Sequence, residues 1–153
     1  MKLHVFPGPL VRLIGLLPAY PASLGLVAVA NLVAWPGLRD QDWTPVMGRH
    51  LCVRVQDLGL RVHFSLGPDG FRAEAGAGPA TTFSATARDL ARLALRLEDP
   101  DTLFFNRRLR IEGDTDLGLR VKNMLDAVDL DTAAAAMPLG LGDLVPRLRR
   151  WAA

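Results

Sequence analysis

A strand, a glycine and an amphipathic helix follow one another between Arg108 and Val128. Residues 108–112 alternate between charged and aliphatic side chains, which is the two-residue period of a half-buried strand. Gly113 then ends the strand, and Asp114 or Thr115 can cap the next helix. Apolar residues recur in this helix at helical spacing: Leu117, Val121, Met124, Leu125 and Val128. The segment therefore predicts a strand and a helix that share one apolar core.

Four more strands are predicted upstream of this segment. Residues 51–55 and 60–66 alternate between apolar and polar side chains, and residues 67–70 (Gly-Pro-Asp-Gly) form a strong hairpin-turn signal. A third strand starts at Phe71 and a fourth covers 81–85. Short turns separate the first three strands, which therefore predict an antiparallel meander. The alternation also places His63 on the polar face, where we expect it to be exposed.

A helix over residues 86–97 is expected next, with Thr86 as its cap and a row of arginines on its outer side. The order of elements predicts an α+β fold with a five-stranded, largely antiparallel sheet covered by helices. Three parts are expected along the chain. They are an apolar N-terminal helical segment (1–37), the central domain (38–136) and a basic amphipathic C-terminal tail (137–153).

The N-terminal part has no charged residue between Arg12 and Arg39. Three interpretations are open: a buried or membrane-apposed helix over Ala22–Trp35, a signal or anchor, and a membrane-spanning segment. Several prolines interrupt the apolar stretch, which favours the first. Residues 1–17 have helical apolar spacing and suit an amphipathic foot. The C-terminal tail suits either docking on the domain or contact with an anionic membrane; its candidate membrane-contact residues are Leu144, Leu148, Arg149, Arg150 and Trp151.

No catalytic motif emerges from the remaining residues. Cys52 is the single cysteine, which excludes an intramolecular disulfide, and we expect it to be a small residue within the sheet. The three histidines lack the spacing of metal ligands. The acids at 112, 114 and 116 resemble a paired-carboxylate site, but their position at a strand-to-helix corner favours helix capping. The net charge of +2 does not indicate nucleic acid. We expect a non-catalytic protein without cofactor or metal.

Several segments resemble a known family. The run 99–114 followed by 118–127, and the earlier runs 51–60 and 83–97, are similar to the sterol carrier protein type 2 domain and, within it, to the bacterial accessory factors of anaerobic ubiquinone biosynthesis, the UbiT type. The resemblance implies helices on one face of a five-stranded sheet, enclosing a lipid cavity. It also implies an isoprenoid quinone precursor or a phospholipid as ligand, and peptidase-U32-type iron–sulfur hydroxylases as partners. The implied location is the cytoplasm, with peripheral contact to the inner membrane.

Apolar residues that face the expected core are the candidates for such a cavity, although an ordinary filled core explains the same pattern. They are Phe64, Phe83, Leu93, Leu97, Phe104, Phe105, Ile111, Val121, Met124 and Leu125. The expected function is that of a lipid-binding accessory factor for oxygen-independent ubiquinone synthesis. Two alternatives stay open. One is a small hydrolase or thioesterase that uses the 112–116 acids or His63. The other is a membrane-docking interaction module.

Overall fold

Five strands and six helices form the part of the chain that the computed structural model describes, residues 19–33, 35–75, 78–126 and 143–153. In chain order they are α1 (Ala19–Val33), α2 (Trp35–Leu38), β1 (Leu51–Val55), β2 (Leu60–Gly67), β3 (Gly70–Ala73), β4 (Thr81–Ala85), α3 (Ala87–Ala94), α4 (Pro100–Phe105), β5 (Arg110–Gly113), α5 (Thr115–Asp126) and α6 (Leu144–Ala152).

The strands form one mixed sheet in the order β3-β2-β1-β4-β5. Strands β1, β2 and β3 are antiparallel neighbours, and β4 and β5 are also antiparallel. Only the central pair is parallel, with Leu51 opposite Thr81 and Val55 opposite Ala85. The predicted α+β class, the meander and the largely antiparallel sheet are therefore confirmed. The parallel pair was not anticipated, because no short-range turn signal reports a pairing between strands that lie so far apart in the chain.

One face of the sheet, the core face, packs against α3, α4 and α5. Residues paired across neighbouring strands lie on the same face. This places Leu51, Val62 and Phe83 on the core face, where all three are buried. Full burial of such a side chain contributes about 1.5–3 kcal/mol. The helical layer adds Leu103, Leu117 and Val121 to the same cluster.

Helix α1 runs beside the edge strand β3 and carries no charged residue. The Asn31 side chain donates to the Phe71 carbonyl (2.8 Å) and accepts from the Phe71 N–H (2.7 Å). Nearer the start of the helix, Ser23 Oγ accepts from the His63 N–H at 2.9 Å. Polar side chains of α1 thus pair with backbone groups of the sheet that no neighbouring strand satisfies.

Three details differ from the sequence-based expectations. The N-terminal helix ends at Val33 rather than at Trp35, and Pro36 lies inside the short helix α2, where its position in the first turn is tolerated. Helix α4 has no counterpart in the sequence-based expectations: a residue before proline, here Asp99, disfavours a helix, but Pro100 itself begins a new one. The expectation that His63 is exposed was wrong, since only 5% of its surface is accessible.

The sequence also predicts an extension of the last core helix over 129–136 and a helix break at 138–140. These two segments, and the amphipathic foot expected over 1–17, lie outside the described residues. Within the described residues, every helix is too short or too polar to cross a bilayer.

Candidate functional site

An apolar pocket of about 100 Å³ lies between the core face of the sheet and the helical layer. Val53, Phe64 and Phe83 form its floor, because cross-strand pairing puts all three on the core face of neighbouring strands. Helix α3 supplies Leu90 and Leu93. The rest of the wall consists of Pro100, Leu109, Val121 and Lys122. An apolar pocket of this kind accepts a hydrocarbon group.

A second pocket of about 210 Å³ adjoins the first and has a charged lining. Leu93 and Pro100 line both pockets, so the two are neighbours. Its other walls are Arg96, Glu98, Asp99 and Asp126. A ligand that spans both pockets would therefore place an apolar part against the sheet and a polar part among charged side chains.

Ion pairs connect the helices around the two pockets. Lys122 of α5, which is only 8% exposed, pairs with Asp101 of α4. Arg96, at the end of α3, pairs with Asp126 of α5 across 3.7 Å. The left-handed backbone of Arg96 (φ 54°) is uncommon for a residue with a side chain. The Arg96–Asp126 pair, whose side chains are 36% and 50% exposed, can exchange its partners for water at small net cost.

Arg108 joins α3 to the loop that follows it. Its guanidinium pairs with Asp89 and, at 2.6 Å, with Glu98, which also accepts from Arg92 at 2.9 Å. Burial alone would raise the pKa of Glu98, but the hydrogen bonds and charges of Arg108 and Arg92 outweigh burial and hold it below its usual range. Glu98 is therefore held as a carboxylate and positions the rim of the charged pocket.

The candidate cavity residues are distributed over several environments. Phe64, Phe83, Leu93 and Val121 line the apolar pocket, whereas Ile111 and Met124 pack against the core cluster outside it. Phe104 is half-buried and contacts Phe105 edge to face. Phe105 is 77% exposed, and Leu97 is 37% exposed. The side chain of Leu125 lies outside the described part of the structure.

Sequence reasoning did not select several residues that line the pocket. Val53 was already assigned to the buried face of its strand, so its alternation carried the signal. Leu90 was assigned to the core side of its helix in the same way. Lys122 gave no signal, because a lysine between two apolar helical positions is ordinarily read as exposed. Its pairing with Asp101 explains how its charge is buried.

The C-terminal helix α6 docks on the outer side of α3. Arg88 donates to the Ala152 carbonyl (3.1 Å), and Arg92 donates to the same oxygen (2.8 Å). Guanidinium groups at the C-terminal end of a helix donate hydrogen bonds to its free carbonyls and interact favourably with its dipole. These arginines were expected to form a solvated face, and the docking corrects that interpretation.

The membrane-contact candidates lie on this docked helix. Leu144 and Leu148 remain 46% and 47% exposed, and Arg149 and Arg150 are exposed as well. Trp151 is half-buried beside the docked end.

The acidic corner has the capping role that its position indicated. Asp114 Oδ1 accepts from the Leu117 N–H at 3.0 Å, and its other oxygen pairs with Arg49 at 3.1 Å. The Leu117 N–H, followed by Arg49, holds the pKa of Asp114 below its usual range. Glu112 and Asp116 are exposed. No cluster of metal-ligating side chains occurs among the described residues.

A pair of histidines, the half-buried His50 just before β1 and the buried His63 on β2, lies at this end of the two strands. His50 Nε2 and His63 Nδ1 are 3.0 Å apart, and Cys52 Sγ lies 3.8 Å from His63 Nε2. Burial, followed by the charges of His50 and Arg61, lowers the pKa of His63. Burial raises the pKa of the Cys52 thiol, which makes it a poor nucleophile at neutral pH.

Comparison with known proteins gives consistent results. Residues 36–126 match the model of the SCP-2 sterol transfer family. The ubiquinone biosynthesis accessory factor UbiT of Escherichia coli K12 is 39% identical over 131 residues, which cover 82% of this chain and 75% of UbiT. The solved structure described as UbiJ-SCP2 ubiquinone synthesis protein superposes with a TM-score of 0.53, at 17% identity, over 69% of this chain and 94% of that one. The chain therefore belongs to the SCP-2 sterol transfer family.

Proposed function

We propose that this protein is a lipid-binding accessory factor of ubiquinone biosynthesis. The observation that carries the proposal is the apolar pocket between sheet and helices, which shares the lining residues Leu93 and Pro100 with a neighbouring charged pocket. The name of the Escherichia coli relative supplies the pathway. The ligand would be an isoprenoid quinone precursor, with its tail toward Phe64 and Phe83 and its head group among the charged residues at the rim.

Binding of a whole prenyl chain requires the pocket to open. Ligand pockets commonly measure about 300–1,000 Å³, whereas the apolar pocket measures about 100 Å³. The ion pairs Lys122–Asp101 and Arg96–Asp126 connect the helices that would move. Opening exposes apolar surface, and the tail compensates because each CH₂ that leaves water contributes about 0.8 kcal/mol.

The first test is native mass spectrometry, with lipid extraction, of the protein purified from its own cells. We expect a co-purified polyprenylphenol-type quinone precursor. Phospholipid alone would shift the proposed role toward general lipid binding. An empty protein that also fails to bind added quinone precursor would contradict the proposal.

A pair of substitutions tests the location of the ligand. Leu93→Trp places a large ring at a residue that lines both pockets, and we expect it to lower the amount of bound lipid at least about tenfold, which corresponds to about 1.4 kcal/mol. Leu119→Trp makes the same change at an exposed position of α5 and serves as the control. Urea unfolding verifies that both variants fold. Equal lipid binding by the two variants would exclude this pocket.

The proposed partners are peptidase-U32-type iron–sulfur hydroxylases, which would receive the quinone head group without oxygen. The proposed location is the cytoplasm, with peripheral membrane contact. The exposed leucines of α6 and the arginines beside them support the membrane contact. Replacing Leu144 and Leu148 together by Glu is expected to weaken sedimentation with anionic vesicles and to leave quinone binding unchanged. Anaerobic co-purification with the hydroxylases tests the partner assignment.

The second candidate function is hydrolysis by the acids at 112–116. Asp114 already caps α5 and pairs with Arg49, so its carboxylate has a structural role. Asp114→Asn distinguishes the two functions. A hydrolase would lose turnover while still binding lipid, whereas a carrier would show only a small loss of stability.

A further inference from the structure

A row of polar residues crosses four strands on the sheet face opposite the apolar pocket. Arg61 lies opposite Arg54, Arg54 lies beside Ser84, and Ser84 lies opposite Arg110. Because paired residues share a face, all four side chains leave the sheet on the same side. We call these four residues the arginine row.

The arginine row is electrostatically unfavourable as it stands. Arg54 and Arg61 face each other directly, and like charges in this cross-strand position destabilise a sheet. All three arginines are exposed. Among the residues that the structure describes, none of the three forms an ion pair, although six other ion pairs occur there.

Ser84 provides the second, independent observation. Its side chain is buried (2% exposed), and its Oγ has no hydrogen-bond partner among the described residues. A buried hydroxyl without a partner costs free energy, so such groups are rare and require an explanation. Here the hydroxyl lies between the two arginines of the neighbouring strands, where a bound acceptor would satisfy it.

We propose that Arg54, Ser84 and Arg110 form a binding site for a phosphate-type oxyanion, with Arg61 as an additional source of positive charge. The guanidinium groups offer paired N–H donors that match the spacing of oxyanion oxygens. The hydroxyl of Ser84 donates a further hydrogen bond from the floor. The nearest acid along β5 on this face is Glu112, which lies opposite Thr82 rather than opposite an arginine.

The site lies on the other side of the sheet from the apolar pocket and from α6. Arg88 and Arg92 bind α6 from the side of α3 that is turned away from Leu90 and Leu93, which line the pocket. An oxyanion at the arginine row would therefore be bound independently of a lipid tail. Failure of this proposal would leave the proposed function intact, and the reverse also holds.

Two sources supply this chemistry, a free phosphate compound and the phosphate of a phospholipid head group. The first experiment titrates inorganic phosphate into the full chain and follows the arginine Nε–Hε signals by NMR. We expect Arg54 and Arg110 to shift. Arg54→Gln combined with Arg110→Gln should weaken binding by at least about tenfold, as expected for loss of charge-assisted hydrogen bonds. Arg120→Gln, an exposed arginine on α5, is the matched control.

The source is distinguished by sedimentation with vesicles of phosphatidylcholine alone or with vesicles that also contain the anionic lipid phosphatidylglycerol, which attracts basic surfaces. The double variant and the Arg120→Gln control share an intact α6, so a difference between them reports the arginine row. A difference identifies a lipid head group as the ligand. Phosphate binding without such a difference identifies a free anion.

Ser84→Ala separates a ligand role from a structural one. If the hydroxyl serves an oxyanion, its removal lowers phosphate affinity about tenfold and raises the melting temperature of the unliganded protein, because a buried unpaired group is lost. The proposal is overturned if phosphate and anionic vesicles both leave the arginines unaffected. Unchanged phosphate affinity in Ser84→Ala, or equal losses in the double variant and the control, would also overturn it.

Discussion

His63 illustrates how a single side chain departs from its local pattern. Alternation along β2 assigns it to the polar face, and it does lie there, but it is buried, with its backbone N–H bound to Ser23 Oγ. Whether a residue is buried depends on which other elements cover its face of the sheet. The helix that supplies Ser23 lies about forty residues earlier in the chain than His63. Local alternation cannot report such a neighbour, because it records orientation and not coverage.

Acid is expected to destabilise the protein through His63. Its pKa is lowered by burial, followed by the charges of His50 and Arg61. The unfolded chain therefore binds a proton at a higher pH than the folded chain does. Stability is full above the ordinary pKa of 6.5 and declines as the pH falls below it toward the lowered value. Urea midpoints between pH 8 and 5 should show this decline, and His63→Asn should flatten it. An equally steep decline of the urea midpoint with falling pH in His63→Asn would show that His63 is not its cause.

At the level of the elements, the strands and the long helices follow from the sequence because each has its own period or turn. The alternation of residues 51–66 and the helical spacing from Leu117 onward correspond to observed elements. The parallel β1–β4 pair and the short helix α4 depend on contacts beyond the local window. The same division holds for the pocket. Local alternation predicts that the side chains of Val53 and Phe83 face the core, but the ion pairs around the rim depend on contacts between distant residues.

Gly118 shows how closely two elements approach. A Cβ at this position of α5 would lie 2.2 Å from Ile111 Cγ2 and 3.1 Å from Thr81 Cγ2. Gly118→Ala should gain about 1 kcal/mol of helix propensity but lose more through overpacking, which costs about 1–3 kcal/mol. We expect a net loss of stability in urea unfolding. Gly25→Ala in α1, where nothing lies within 4 Å, is the matched control and should stabilise. Stabilisation by both changes would show that α5 shifts without cost.

Across the whole molecule, α6, the helical layer and the sheet are stacked in that order. Arg92 connects the first two layers, because it binds both the Ala152 carbonyl and Glu98 at the rim of the charged pocket. The helix with exposed leucines is thus attached to the same arginine that positions part of the pocket entrance. A displacement of α6 would therefore be transmitted to Glu98 at the rim of the charged pocket through the side chain of Arg92.

Arg92→Ala is expected to loosen the docking of α6 on α3, because Arg88 alone then binds the Ala152 carbonyl. Loss of a hydrogen bond from a charged donor costs about 1.5–3 kcal/mol, so hydrogen–deuterium exchange in residues 144–152 should accelerate by at least about tenfold. Glu98→Gln keeps the bond to Ala152 and is the control. If Glu98→Gln accelerates exchange equally, α6 is held through the Arg92–Glu98 pair at the rim rather than through the bond from Arg92 to the Ala152 carbonyl.

The pairing of Asn31 with both backbone groups of Phe71 has a consequence for self-association. An edge strand with free N–H and C=O groups is a template on which a second copy can add its own strand. A side-chain amide presents one donor and one acceptor, and at β3 it occupies the positions that an incoming strand would use. The amide therefore helps to close this side of the sheet against growth. Asn31 in this sense protects the protein from edge-to-edge aggregation, a hazard for a chain of which half the residues are hydrophobic.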